Sequence, residues 1–451
     1  MPFIPNTDAD RAELLEAIGV QSVAELFENI PAELRLAEAL PVPEGISEDE
    51  LMRELGELAS WNSTPAGGSF LGGGMYRHAI PAVVGALQSR QEFVTAYTPY
   101  QPEASQGTLT AFFEFQTMIA ELLGMEIANA SMYEGCSALA EAVLMAMGLQ
   151  RKRGKVVVSA GLHPHTRRTL QTILRWTRLE IIEAPLGPDG RTALGNLADA
   201  DTCAVAVQSP NFVGVIEDLE SLAATADGVG ALSICSAYPI ACGLLQSPGE
   251  AGFDVAVGDG QSLGVPVQFG GPSFGLFATS HKYVRKIPGR LVGETIDRLG
   301  RRGFTLTFQA REQHIRRAKA TSNICTNNAL MALRGAIYLA AAGPEGLREV
   351  AEHCLAKAQY AQREIARIPG FEPCFPDAPF FNEFAVRCPL PAREVNRAID
   401  GAGMLGGVDL AQLHPGLGEN ALLLAFTELT ERTQIDRLLN TLSGLSQTVT
   451  V

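Results

Sequence analysis

Between residues 155 and 257 the chain repeats one pattern, and that pattern restricts the fold more than any other feature. Apolar runs of four to six residues stand at Lys155-Val156-Val157-Val158-Ser159, Leu179-Glu180-Ile181-Ile182, Thr202-Cys203-Ala204-Val205-Ala206-Val207, Ala231-Leu232-Ser233-Ile234-Cys235 and Asp254-Val255-Ala256-Val257. Longer segments separate them, among them a helix expected from His165 to Arg175. Runs this short, without polar alternation, read as parallel strands covered on both faces. The expectation is an α/β chain with a mainly parallel sheet, and ligands in such folds bind at the carboxyl ends of the strands.

With 451 residues, the chain suits two or three units at roughly 100–200 residues each. Residues 1–60 read as a helical arm. Asp8 to Ile18 carries Leu14, Leu15 and Ile18, and Ser47-Glu48-Asp49-Glu50 is a capping box ahead of Leu51 and Leu55. Such an arm cannot fold alone and is expected to pack on the body or on a second subunit. Residues 61–330 read as the large α/β domain. Residues 331–451 read as a small α+β domain. A helix capped by Thr326 fills Asn327 to Ala342, and another runs from Leu347 to Ile368. Strands are expected at Phe381–Val386 and Ala421–Phe426, and helices at Pro391–Ala402 and Arg432–Leu442.

A net charge of −15 argues against nucleic acid as a partner. Nothing approaches the ~18 consecutive apolar residues of a membrane span, and Met1 to Asn6 lack the marks of a signal peptide. Eight cysteines without a CxxC pair read as reduced thiols of a cytoplasmic protein. The charge is uneven. Residues 1–60 hold 14 acids and 3 bases, whereas 281–319 hold 11 bases and 3 acids. The basic block either docks an anionic group or acidic partner, or is a solvated surface.

Four segments carry possible chemistry. Phe70-Leu71-Gly72-Gly73-Gly74-Met75-Tyr76-Arg77-His78 has three glycines that permit a sharp turn or close approach to a ligand. Tyr97-Thr98-Pro99-Tyr100-Gln101-Pro102-Glu103-Ala104-Ser105-Gln106-Gly107 is a loop stiffened by two prolines, with two phenols, two amides and a carboxylate, and a helix starts close behind it. Tyr97, Tyr100 and Gln101 offer hydrogen bonds without fixed charge, Glu103 is a possible base, and packing at a subunit interface is the plainer alternative. Glu134-Gly135-Cys136-Ser137 leads into a helix, where N–H groups favour anions. The Glu134 carboxylate there repels a second anion unless a cation intervenes. Gly260-Gln261-Ser262-Leu263-Gly264 follows the last strand, with Gly270-Gly271-Pro272 beyond it.

His163 and His165 flank Pro164 without a third ligand nearby, so a strand-end loop is expected and no metal. Cys325, in Ser322-Asn323-Ile324-Cys325-Thr326, reads either as a nucleophile or as a buried structural cysteine.

Taken together, these segments resemble the glycine-cleavage P-protein family, glycine dehydrogenase (decarboxylating), and specifically the first of its two halves. The marks are Phe70–His78, Thr95 to Glu103, Gln261 to Gly271, Ile287-Pro288-Gly289-Arg290-Leu291-Val292-Gly293 and Ala320 to Thr326. The resemblance implies the fold of pyridoxal-phosphate-dependent transferases (aspartate-aminotransferase-like, fold type I). It implies decarboxylation of glycine and transfer of the aminomethyl group to the lipoyl arm of H-protein. It also implies a partner, subunit 2, which bears the pyridoxal phosphate. The residues agree with that division. A carbonyl cofactor needs a primary amine, and Gln261 stands where the lysine would be. The acid that should face the pyridine nitrogen is absent from Cys235-Ser236-Ala237-Tyr238-Pro239, and Lys282 lies beyond the glycine turn. An active site between subunits follows, with Tyr97, Tyr100, Gln101 and Glu103 on this chain's wall and Gly72, Gly73, Gly74, His78 and Asn323 as further candidates. The H-protein is expected at the basic block. A scaffold that only stabilises its partner and a stand-alone pyridoxal-phosphate lyase are the alternatives.

Overall fold

The apolar runs become strands because each is long enough to cross a sheet and has no polar face to turn to water. The computed structural model describes residues 6–36, 38, 40–62, 65–95, 97–268 and 270–449. Met1 to Pro5 of the N-terminal segment, Ala96 of the tyrosine loop and Phe269 of the glycine loop lie outside the described residues. Seven strands form one sheet: β1 (Ile127–Ala128), β2 (Lys155–Ser159), β3 (Glu180–Ala184), β4 (Thr202–Ser209), β5 (Leu232–Ala237), β6 (Val255–Asp259) and β7 (Gly275–Thr279). Their order is β1-β7-β6-β5-β4-β2-β3. β3, β2, β4, β5 and β6 run parallel, and β7 is antiparallel to both β6 and β1.

Both faces are covered. Val156, Val158, Ala204, Ala206 and Ile234 pack against the helix Gly135–Leu149 and against Leu170 and Leu174 of the helix Pro164–Leu174. Val157, Val205, Val207 and Cys235 pack against the helix Leu219–Gly228. Each such side chain, fully buried, stabilises by roughly 1.5–3 kcal/mol. Four strands run two residues past their expected ends, to Ala184, Ser209, Ala237 and Asp259. The added residues include Gln208, Ser236 and Asp259, polar groups at the carboxyl ends that line a cavity.

The basic block contains a hairpin, β8 (Leu291–Ile296) and β9 (Arg302–Thr307). Phe304 and Leu306 of β9 are buried while Arg302 is exposed. After it, Ala329–Ile365 runs as helix on both sides of a break at Gly343, whose φ is 65° and which precedes Pro344. The two expected helices are therefore present, separated where glycine permits the turn and proline lacks the N–H to bridge it. Thr326 does not cap the first of them: the N-cap is Asn328, and the Thr326 hydroxyl is taken by Arg290. The last sheet has four antiparallel strands in the order β10-β11-β13-β12: β10 (Glu372–Pro373), β11 (Glu383–Arg387), β12 (Val408–Asp409) and β13 (Ala421–Ala425). Phe384 and Phe426 stack at 5.7 Å beneath it.

The chain divides into two compact units, residues 1–64 and 65–451. In the first, the helices Asp8–Ile18 and Glu48–Ser60 both start with full capping boxes, Thr7 with Asp10 and Ser47 with Glu50. Neither helix has a buried residue; Leu14, Ile18, Leu51, Leu55 and Leu58 are exposed. No helix among the described residues is long and apolar enough to cross a membrane.

Candidate active site

Apart from His78, the expected site residues fall into or beside two neighbouring places. The first is a cavity of about 440 Å3 at the carboxyl ends of β4, β5 and β6, the place an open α/β sheet reserves for ligands. Gly73, Gly74, Glu134, His163 and Gln261 line it.

Gln261 is 3% exposed, and its amide is fully engaged. It accepts from the Tyr76 N–H at 3.1 Å and donates to the carbonyls of Tyr76 at 3.0 Å and Val265 at 2.8 Å. The glycine-rich segment is thereby stapled across the loop. The helix Gly135–Leu149 points its N-terminus into the cavity, but its Gly135 and Ser137 N–H groups already have carboxylates. Glu134 accepts from the Ser137 N–H at 2.8 Å and from the Ser137 hydroxyl. Asp259 accepts from the Gly135 N–H at 3.0 Å, the Gln261 N–H at 2.9 Å and the Ser273 hydroxyl. Burial raises the Asp259 carboxyl, Ser273 and the amides oppose this, and the Glu134 charge raises it further. Glu134 was legible in the sequence. Asp259 was not, because it reads as the polar end of an apolar strand.

These residues do not fit pyridoxal phosphate. There is no amine to hold its aldehyde, since Gln261 occupies that place. Two carboxylates stand where a phosphate would need helix N–H groups, and like charges there repel. Ser236 and Tyr238 are at the strand end where an acid would face the ring. Lys282 pairs with Asp254 at 2.9 Å. Asp254 precedes β6 and Asp259 ends it, so that lysine sits at the far end of the strand, roughly 16 Å along it.

Other cavity residues are buttresses. Glu383, 4% exposed, accepts from the Gly73 N–H at 2.9 Å and the Tyr76 hydroxyl at 2.7 Å. Burial pushes its carboxyl up to about 7. A Cβ on Gly72 would lie 2.4 Å from the Ala425 Cβ and 2.7 Å from Glu383 Oε2, so the wall admits only glycine there. Burial lowers His163 to about 4, which leaves it neutral. Its Nδ1 accepts from the His165 N–H at 3.1 Å, and its Nε2 donates to the Gly73 carbonyl at 2.9 Å.

His78 is inside the fold, at 8% exposure. Its Nδ1 meets Glu428 at 2.7 Å and its Nε2 meets the Tyr238 hydroxyl. With Cys354 these groups form the only three-residue cluster of potential metal ligands among the described residues, and both ring nitrogens of His78 already have partners.

The second place is the surface loop. Tyr97 is 79% and Tyr100 53% exposed, and Gln101 and Glu103 are exposed beside them. What holds the loop is Arg290, 5% exposed. Its Nη1 donates to the hydroxyls of Thr98 and Thr326, both at 3.1 Å. Its Nη2 donates to the Tyr100 hydroxyl at 2.9 Å and the Cys325 carbonyl at 2.8 Å. Three of the quoted sequence marks thus meet on one guanidinium. Arg290 was within a quoted mark but was not read as a site residue, since nothing local distinguishes it from the other bases of the block. Cys325 is exposed, which corrects the reading of a buried cysteine; its carbonyl, not its thiol, serves the loop. Asn323 is exposed on the same segment.

Tyr97 and Pro99 form one side of a groove of about 320 Å3 whose other side includes Phe93, Phe112, Asn328 and Met331. Groove and cavity share a wall. The Ser273 carbonyl accepts from the Asn328 amide at 2.6 Å, and the Ser273 hydroxyl donates to Asp259.

Residues 1–442 match the family model described as glycine cleavage system P-protein. A probable glycine dehydrogenase (decarboxylating) subunit 1 of Thermomicrobium roseum is 51% identical, covering 98% of this chain and 99% of that protein. Its counterpart in Geotalea uraniireducens is 50% identical, covering 98% and 100%. The crystal structure of a glycine decarboxylase (P-protein) of the glycine cleavage system, in inhibitor-bound form, is 48% identical, covers 99% of this chain and 100% of its own, and superposes with a TM-score of 0.89. At 17% identity, a sphingosine-1-phosphate lyase of Burkholderia pseudomallei covers 92% and 94% with a TM-score of 0.67, a likeness of fold. The chain belongs to the glycine cleavage system P-protein family.

Proposed function

We propose that this chain is the first subunit of a two-part glycine decarboxylase, and that it furnishes one wall of an active site whose pyridoxal phosphate is carried by the second subunit. The carrying observation is the engaged Gln261 amide, 3% exposed, together with the two carboxylates on the helix N-terminus. Relatives named subunit 1 of glycine dehydrogenase (decarboxylating) support a heteromeric enzyme. Glycine is the substrate, the lipoylated H-protein receives the aminomethyl group, and the cytoplasm is the proposed compartment.

This chain's contribution is positional. Tyr97, Tyr100, Gln101 and Glu103 are held outward by a buried cation none of whose four partners is a carboxylate. The loop is therefore positive behind a screen of neutral hydroxyls. That suits a glycine carboxylate, which must be oriented without being stabilised so strongly that its departure slows. The groove beside Tyr97 offers apolar surface on the same face. In the basic block Arg290 and Arg311 turn inward, and Lys282, Arg301 and Arg302 are ion-paired. Exposed Lys286, Arg298, Arg317 and Lys319 remain to meet an acidic H-protein.

The test is reconstitution. The chain, its partner subunit, pyridoxal phosphate, glycine and lipoylated H-protein are expected to release carbon dioxide, with Tyr100→Phe and Glu103→Gln impaired. Full activity in both variants would reduce this chain to a scaffold.

A further inference from the structure

The cavity that rejects pyridoxal phosphate has not closed up. Its volume of about 440 Å3 lies within the ~300–1,000 Å3 of small-molecule sites. Its acidic side chains have no basic counterpart: Glu134, Asp259 and Glu383 line it, and no lysine or arginine does. Glu134 and Asp259 stand close enough for the charge of one to act on the other, an arrangement that an intervening cation relieves.

Two buried polar atoms in the wall have no partner, Asn382 Nδ2 and Ser262 Oγ; the residues are 2% and 3% exposed. A buried donor or acceptor left unsatisfied is destabilising. The neighbouring Gln261, Tyr76 and Glu383 are engaged, whereas Asn382 and Ser262, which also line the open space, each keep an unpartnered polar atom. A metal ion fits less well than an organic cation. Among the described residues, no third histidine, cysteine or carboxylate joins Glu134 and Asp259 at ligand spacing. Met75, Pro210, Ala237, Pro239 and the neutral His163 ring supply apolar surface for a flat body.

We propose that this cavity is a separate ligand site of the chain, selective for a small, phosphate-free aromatic amine whose ammonium group lies against Glu134 and Asp259 and whose acceptor takes the Asn382 amide. The former cofactor position has inverted its charge preference, from anion to cation. This does not depend on the role given to the tyrosine loop.

Three probes that share one ring test it by calorimetry on the purified full-length chain: pyridoxamine, with an amine and no phosphate; pyridoxine, with neither; and pyridoxamine 5'-phosphate, with both. Pyridoxamine is expected to bind saturably, with the other two weaker by about tenfold, the size of one lost or one repulsive charged contact. Glu134→Gln keeps the helix cap and is expected to weaken pyridoxamine about fivefold and to narrow its advantage over the phosphate ester. Asn382→Leu removes an unpartnered amide, so it is expected to keep or raise the melting temperature while weakening pyridoxamine. No saturable pyridoxamine binding, equal or tighter binding of the phosphate ester, or indifference of pyridoxamine to both substitutions would each overturn the proposal.

Discussion

The Arg290 guanidinium donates to the Tyr100 hydroxyl at 2.9 Å and lies 5.2 Å from the centre of the same ring. One buried cation thereby fixes both the reach and the tilt of an exposed phenol. A lysine in that place keeps the charge but cannot serve four acceptors in a planar fork. Arg290→Lys is expected to lower turnover of the reconstituted enzyme about tenfold or more and to lower stability by about 1–3 kcal/mol. Thermal unfolding and glycine-dependent carbon dioxide release, measured side by side, separate the two effects; a variant with native turnover would show that the loop needs no clamp.

Tyr100→Phe removes only the hydroxyl. Thr98, Thr326 and Cys325 still hold Arg290, so stability is expected to change by less than about 1 kcal/mol. If the hydroxyl orients substrate, kcat/KM for glycine falls about tenfold, equal to about 1.4 kcal/mol. Steady-state kinetics of the complex decide this, and an unchanged kcat/KM argues that the exposed phenol only packs.

Restoring the missing amine is not expected to restore the cofactor. In Gln261→Lys, the new side chain loses the bonds to Tyr76 and Val265, while Glu134 and Asp259 still occupy the helix N-terminus. The variant is expected to be less stable and to show no visible band with pyridoxal phosphate. A stable yellow protein would mean that the lysine alone was lacking.

Burial holds the Glu383 carboxyl up at about 7, against an ordinary 4.5. Between those values the folded chain keeps a proton that the unfolded chain releases, so this group's contribution falls as pH rises from about 4.5 to about 7. His163, lowered by burial from 6.5 to about 4, acts in the other direction: its contribution is lost as pH falls through that window. Glu383→Gln removes the first effect alone. Its stability relative to the natural chain is expected to rise between pH 5 and 7 by about 1–3 kcal/mol and then level off. Urea unfolding across that range measures it, and a difference independent of pH would show that Glu383 carries no raised carboxyl.

Much of the architecture could be read from the chain. The five apolar runs became the parallel strands, because strands buried on both faces need no alternation to betray them. The capping box at Ser47 is local chemistry and stood where its spacing put it. The hairpin Leu291–Thr307 was hidden, since only Phe304 and Leu306 mark its inner face among charges. Gln261 was legible as an amine that is absent. Asp259 was not, because its role depends on a helix that starts 124 residues earlier. Arg290 escaped for the same reason. Its four partners lie 35 to 192 residues away, and only the folded chain brings them to one guanidinium.

The central claim concerns which subunit holds the coenzyme, and one spectrum addresses it. The purified chain, mixed alone with pyridoxal phosphate and glycine, is expected to develop no visible protein-bound band and to release no carbon dioxide, both appearing once the second subunit and H-protein are added. A lone chain that turns yellow and decarboxylates glycine would contradict the account.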